Sequence, residues 1–178
     1  MGTGGVFLRK IRAAIDDEPT GFAWVEAGKV AASGYPASRT QVEWLVKQGI
    51  KAILTLTEEP LPDDYVEGLG LTTGHVPMKD HQPPTIESMQ KGADFIRSQV
   101  KEGKPVAVHC LAGEGRTGCV LAAYLMEEGG LSASDTLHAL RAIKPEFVER
   151  NQETSVSKFA SVVGLGNSAV GPSDPNPR

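Results

Sequence analysis

Cysteine is scarce in this sequence: Cys110 and Cys119 are the two in 178 residues. Two thiols cannot build the disulfide framework of a small secreted domain, so a reducing, cytoplasmic setting is expected. Basic charge is also in short supply. Lys and Arg number 18 against 22 Asp and Glu, a net charge of −4, which leaves no electropositive footprint of the kind nucleic-acid binding demands. No apolar run reaches membrane-span length, no secretory or transit signal is recognised, and no internal repeat marks a solenoid. His75, His81 and His138 lack the spacing of metal ligands, so neither metal nor cofactor is expected.

What is present suits one globular domain, since 40% apolar and 22% charged residues over this length can bury a single sizeable core. Residues 1–18 hold Val6, Phe7, Ile11, Ala14 and Ile15 at helical spacing with Arg9, Lys10 and Arg12 between them, which predicts an amphipathic extension packed on the domain. It is too short for a stable membrane anchor, and Val6 stands where a myristoylation pattern wants Ser or Thr. Residues 164–178 are rich in Gly, Pro, Ser and Asn and read as a disordered tail, leaving 19–163 as the folded domain, expected to be a monomer.

Within that domain, strand-like runs at 22–25, 51–56, 72–76 and 105–109 alternate with helical patterns, which predicts an α/β arrangement. Ser38 with Gln41 forms a capping box for a helix presenting Val42, Leu45 and Val46, and Gly49 stops it. Thr85 caps a second helix with an apolar stripe of Ile86, Met89, Ala93, Ile96 and Val100. A third, over 115–128, is apolar on every side and should be buried. Two more follow, over 132–143 and 151–163. Cys119 lies inside the third helix and reads as core, and Trp24 and Trp44 read as packing residues.

The informative segment is VAVHCLAGEGRTG, residues 106–118, where an apolar strand runs into a glycine-punctuated turn that opens the buried helix. Small residues Ala112, Gly113 and Gly115 let the backbone of Leu111, Ala112, Gly113, Glu114 and Gly115 curl so that its N–H groups converge, and the helix N-terminus adds partial positive charge. Such a cradle binds a dianion. Arg116, six residues after Cys110, can offer two parallel donors to phosphate oxygens. The same groups would stabilise a thiolate at Cys110, the nucleophile. Thr117 can donate its hydroxyl to that sulfur, and His109 can hold the loop through a ring hydrogen bond.

HCLAGEGRTG resembles the His-Cys-x5-Arg-Thr/Ser signature of protein tyrosine and dual-specificity phosphatases. The order of GFAWVEAGKVAASGYPAS, ILTLTEE and DHQPP is most similar to the compact, atypical and archaeal-like dual-specificity phosphatases, over roughly residues 21–160. The resemblance implies a central, mostly parallel sheet flanked by helices, with a strand–phosphate loop–helix active site. It also implies a metal-free reaction through a phosphocysteine intermediate. The low-molecular-weight tyrosine phosphatases carry their Cys-x5-Arg loop near the N-terminus, which position 110 does not fit.

Transfer to sulfur requires a proton for the departing oxygen. Asp80, 30 residues before Cys110 in MKDHQPP, occupies a loop comparable to that of the family's acid, stiffened by Pro83 and Pro84. Glu58, Glu59, Asp63 and Asp64 compete for the role, the last two in what reads as a solvated turn. Gln152 resembles in position the glutamine that orients water in some relatives, and equally reads as a polar face of the last helix. Glu114 departs from the neutral or basic residues common in this loop and should repel polyanions.

The expected activity is hydrolysis of phosphotyrosine, with phosphoserine and phosphothreonine also accepted, on a phosphorylated protein or peptide. The alternatives are a small phosphomonoester or an RNA 5′-phosphate as substrate, or a recognition module that binds phosphate without turnover.

Overall fold

The computed structural model describes residues 17–165. The segment 1–16, which carries the predicted N-terminal helix, and the tail after Leu165 lie outside the described residues. Five strands, β1 (Ala23–Glu26), β2 (Val30–Ser33), β3 (Ala52–Thr55), β4 (Thr72–His75) and β5 (Val106–His109), form one sheet in the order β1-β2-β5-β3-β4. β1 runs antiparallel to β2, and every other neighbouring pair is parallel, as expected of a mostly parallel sheet.

Side chains alternate across the sheet with the period of two that extended backbone imposes. Val30, Ala32, Ala52, Leu54, Val106 and Val108 enter the larger core, while Ala31, Ile53 and Ala107 enter a smaller one on the other face. The strands that border β5 are apolar on both faces because helices cover both. The smaller core is closed by Val42 and Leu45 of α1 (Arg39–Lys47). Phe22 sets its ring edge-on to Trp24 and Trp44 beside that core, at centroid distances of 5.6 and 5.0 Å.

A one-turn helix, α2 (Asp63–Val66), follows β3, and α3 (Ile86–Lys101) follows β4. α4 (Gly115–Gly129) follows β5, and then come α5 (Ala133–Ile143) and α6 (Glu153–Val162). Met89, Ala93 and Ile96 of α3 cover the larger core with Leu140 of α5 and Val156 and Phe159 of α6, and α4 is buried among them. Ser38 accepts from Gln41 N–H and Thr85 accepts from Ser88 N–H as their sequence requires, while Gln41's side chain accepts from Ala37 N–H, one residue before the N-cap that a regular capping box would bond.

Four features differ from the sequence reading. β2 was not anticipated, because VAAS has little strand propensity of its own and is extended by pairing with β1 on one side and β5 on the other. Asp63 and Asp64, read as part of a solvated turn, are exposed as expected, but the turn is helical. The last helix is preceded by a 3-10 turn, Arg150–Gln152. Leu165, assigned to the tail, packs against the larger core, with its N–H bonded to Ala160 O at 2.7 Å. No helix among the described residues is long and apolar enough to cross a membrane.

Candidate active site

The central strand β5 carries His109 and Cys110 to its carboxyl end, where the chain turns through residues 111–114 into α4. Parallel strands bring their following loops to one edge of the sheet, so the segments after β3 and β4 meet the loop after β5 there. Cys110 is 2% exposed, and Leu111 beside it is half exposed.

The turn is held by close backbone packing. Gly113 has φ 71°, and a Cβ there would lie 2.2 Å from Ser33 O, so neither the conformation nor the space admits another residue. Tyr35 N–H bonds Leu111 O at 3.1 Å, tying the turn to the end of β2. The N–H groups of Leu111, Ala112 and Gly113 have no acceptor among the described residues. Donors in this arrangement, next to a helix N-terminus, suit a tetrahedral oxyanion.

His109 is fully buried, and burial pushes its pKa down to about 4, so the ring is neutral near neutral pH. Nδ1 lies 3.2 Å from Cys110 O and Nε2 lies 2.9 Å from Thr55 Oγ1. Because a carbonyl can only accept, the proton sits on Nδ1 and Thr55 donates to Nε2. The histidine thereby ties the cysteine's own carbonyl to β3.

Arg116 is 2% exposed, and its guanidinium holds three partners. Nη2 lies 2.6 Å from Asp80 Oδ1, while Nη1 donates to Glu58 Oε2 at 3.1 Å and to Met78 O at 3.0 Å. The two parallel donors that the sequence reading offers to phosphate are here paired with two carboxylates and a carbonyl, because the loops after β3 and β4 close over the guanidinium. Glu58 also accepts from Asp80 N–H at 3.0 Å. That bond, followed by one from its own N–H, holds the Glu58 carboxyl below the usual carboxylate range. Thr117 Oγ1 is buried without a hydrogen-bond partner among the described residues, so the expected bond to the cysteine sulfur is not formed.

A family model described as "Polymorphic toxin system, DSP-PTPase phosphatase" matches residues 27–130, more than half of the chain and the whole strand–loop–helix unit. The chain belongs to the DSP-PTPase phosphatase family. Human dual specificity protein phosphatase 7 is 34% identical over 127 residues, covering 71% of this chain and 28% of that protein. Tyrosine-protein phosphatase CDC14 of Candida albicans is 30% identical over 114 residues, 63% of this chain and 21% of the relative, so the chain spans about a fifth of that relative's length. The solved structure of Tk-PTP in the active form superposes with a TM-score of 0.70 at 31% identity, covering 77% of this chain and 93% of that one.

In this DSP-PTPase the loop bearing Asp80 is fastened to the segment before α6. His81, at φ 54°, sets Nδ1 3.2 Å from Glu149, and its pKa is raised by that bond first and by Asp80 next. Asn151 donates to His81 O at 2.8 Å, and Gln152 Nε2 donates to Gln82 O at 3.2 Å. Gln152 is fully buried, which removes the reading as a polar helix face; a Cβ on Gly115 would meet its Oε1 at 2.6 Å, so it stands over the first turn of α4. Its Oε1 accepts from Cys119 Sγ at 3.7 Å, and burial pushes that thiol's pKa up, as suits a core cysteine.

Two carboxylates do more than the sequence reading assigns them. Glu58, there a rival acid and nothing else, joins Arg116 to the Asp80 loop; its position just after a parallel strand is the signal that could have found it. Glu149 has no local signal, because only the tertiary fold brings it to His81. Among the described residues Glu59, Asp63 and Asp64 form no ion pair with Arg116.

Proposed function

We propose that this chain hydrolyses phosphotyrosine on proteins, and phosphoserine and phosphothreonine more slowly, through a phosphocysteine at Cys110. The supporting observation is a buried arginine, two residues into α4, whose guanidinium reaches 2.6 Å from the carboxylate of a separate loop beside the cysteine-bearing turn.

The phosphoryl dianion takes Arg116 donors from Asp80 and Glu58 and binds the N–H groups of residues 111–113. Asp80, protonated from solvent once it leaves Arg116, is the acid: the Cys110 thiolate attacks phosphorus as the P–O bond to the leaving group breaks, and the electron pair departs on that oxygen, which takes the Asp80 proton. Water then attacks the phosphocysteine, gives its proton to Asp80, and inorganic phosphate leaves as the thiolate reforms. Gln152 would orient that water after releasing one of its present bonds. An aryl oxide is the easier group to expel, which supports tyrosine. The carboxylates of Glu58, Asp80, Glu114 and Glu149 around the turn support a substrate with little further negative charge, and speak against an RNA 5′-phosphate.

The test is hydrolysis of para-nitrophenyl phosphate, phosphopeptides and a 5′-phosphorylated oligoribonucleotide, with chelator present, from acid to neutral pH. Turnover of the aryl ester and the phosphotyrosine peptide, lost in Cys110→Ser, is expected. Turnover by Cys110→Ser at the wild-type rate would overturn the reading, and selective turnover of the RNA would move the substrate.

A further inference from the structure

Lys144 carries no signal in the sequence, and the steps above do not use it. It follows α5, its N–H bonds Leu140 O at 3.0 Å, and its ammonium lies 5.7 Å from the centre of the buried Phe147 ring. From there Nζ donates to Ala112 O at 3.4 Å and Gly113 O at 3.3 Å, and stands 3.6 Å from Glu114 Oε1. Three consecutive residues of the phosphate loop therefore meet one cation, whose side chain is only 15% exposed.

In a trans peptide the carbonyl and the following N–H point opposite ways. A carbonyl of Ala112 turned toward Lys144 thus aims Gly113 N–H away from it, and that N–H has no acceptor among the described residues. Glycine adopts either sign of φ, so backbone preference alone does not stop the peptide between residues 112 and 113 from turning over. A reversed peptide would present an oxygen, not a hydrogen, to the phosphoryl anion.

We propose that Lys144 is a positioning residue for the phosphate loop, drawing the Ala112 and Gly113 carbonyls outward and offsetting the Glu114 charge so that the loop's amides serve the anion. The proposal rests on the phosphatase reading for its consequence in turnover, but not for its test.

Inorganic phosphate would be titrated by calorimetry into Cys110→Ser chains that carry Lys144 or Lys144→Met. The Met variant is expected to bind phosphate about tenfold more weakly, the loss of charge-assisted bonds to the loop. Lys144→Arg should recover most of the affinity, with thermal midpoints little changed. In chains that keep Cys110, Lys144→Met should raise KM for para-nitrophenyl phosphate more than it lowers kcat. Unchanged phosphate affinity in Lys144→Met overturns the proposal, as does a loss that follows a fallen thermal midpoint and is not rescued by Arg. Full recovery on adding Glu114→Gln to Lys144→Met would reduce the role to charge balance and overturn the carbonyl argument. A wild-type chain that hydrolyses no ester would sink the phosphatase reading, while the phosphate titration would still decide the case of Lys144.

Discussion

The phosphate loop and the acid loop meet at Arg116, yet they are held by different physics. The turn after Cys110 is held mainly by close packing, with the Lys144 ammonium on its outer carbonyls: Gly113 lies against the Ser33 carbonyl, Gly115 lies beneath Gln152, and His109 and Arg116 are buried. The loop around Asp80 is exposed over much of its length and held by polar side-chain ties from Glu58, Glu149, Asn151 and Gln152. Packing gives a cradle that cannot adapt without strain, while hydrogen bonds and ion pairs can be exchanged with water or substrate. The difference suits the work proposed for each: anion binding wants fixed donors, and an acid that must let go of Arg116 wants a releasable mount.

The largest effect should come from breaking the packed half. Gly113→Ala places a Cβ against Ser33 O at a left-handed φ and should destabilise the fold by about 2–4 kcal/mol and abolish phosphate binding, read by thermal melts and calorimetry. Asp80→Asn tests the other half: kcat should fall roughly 100- to 10,000-fold, while inorganic phosphate binds no more weakly because one competing carboxylate has left Arg116. Weaker phosphate binding in that variant would contradict the exchange of partners.

A pH series separates the two regions further. His109 has a folded pKa near 4, below its unfolded value near 6.5, so between these limits the unfolded chain binds the extra proton. Stability should therefore drop as pH falls from 6.5 toward 4, by up to roughly 3 kcal/mol from this residue, and His109→Asn should flatten that slope in denaturant melts. His81 has the opposite sign: its raised pKa makes the tie to Glu149 complete at low pH and weaker as pH climbs past the folded value. Amide hydrogen exchange over residues 80–82 should quicken there, and should lose this pH dependence in Glu149→Gln. Asn151→Ala should have the smallest effect, a fall of about two- to tenfold in kcat with the thermal midpoint nearly unmoved.

The packed half was also the half legible in the sequence. From Val106 to the end of α4 the strand, turn and buried helix are contiguous, so apolar pattern, glycine spacing and the positions of Cys110 and Arg116 all speak within one short window. The polar half is assembled from distant segments. Nothing in the chemistry of Glu58 and Glu59 separates neighbouring carboxylates; only the direction of the chain after β3 does. Glu149 and Lys144 read as ordinary surface charges until the turn between α5 and α6 is folded against the two loops. β2 was hidden for a related reason, since its extension comes from its neighbours and not from Ala31 and Ala32.

Three of the ties that fasten the acid loop bridge 68 to 70 residues of chain, from His81 and Gln82 to Glu149, Asn151 and Gln152, while the Glu58 tie spans 22. A ribosome makes Asp80, Cys110 and Arg116 before it makes these last anchors. A nascent chain that has emerged only as far as α5 therefore holds every group the proposed reaction uses but lacks the three ties from the segment before α6. On the proposed function, the full mounting of Asp80 is a late product of synthesis, and a chain cut short before residue 149 would carry the signature with only the Glu58 and Arg116 contacts to hold Asp80.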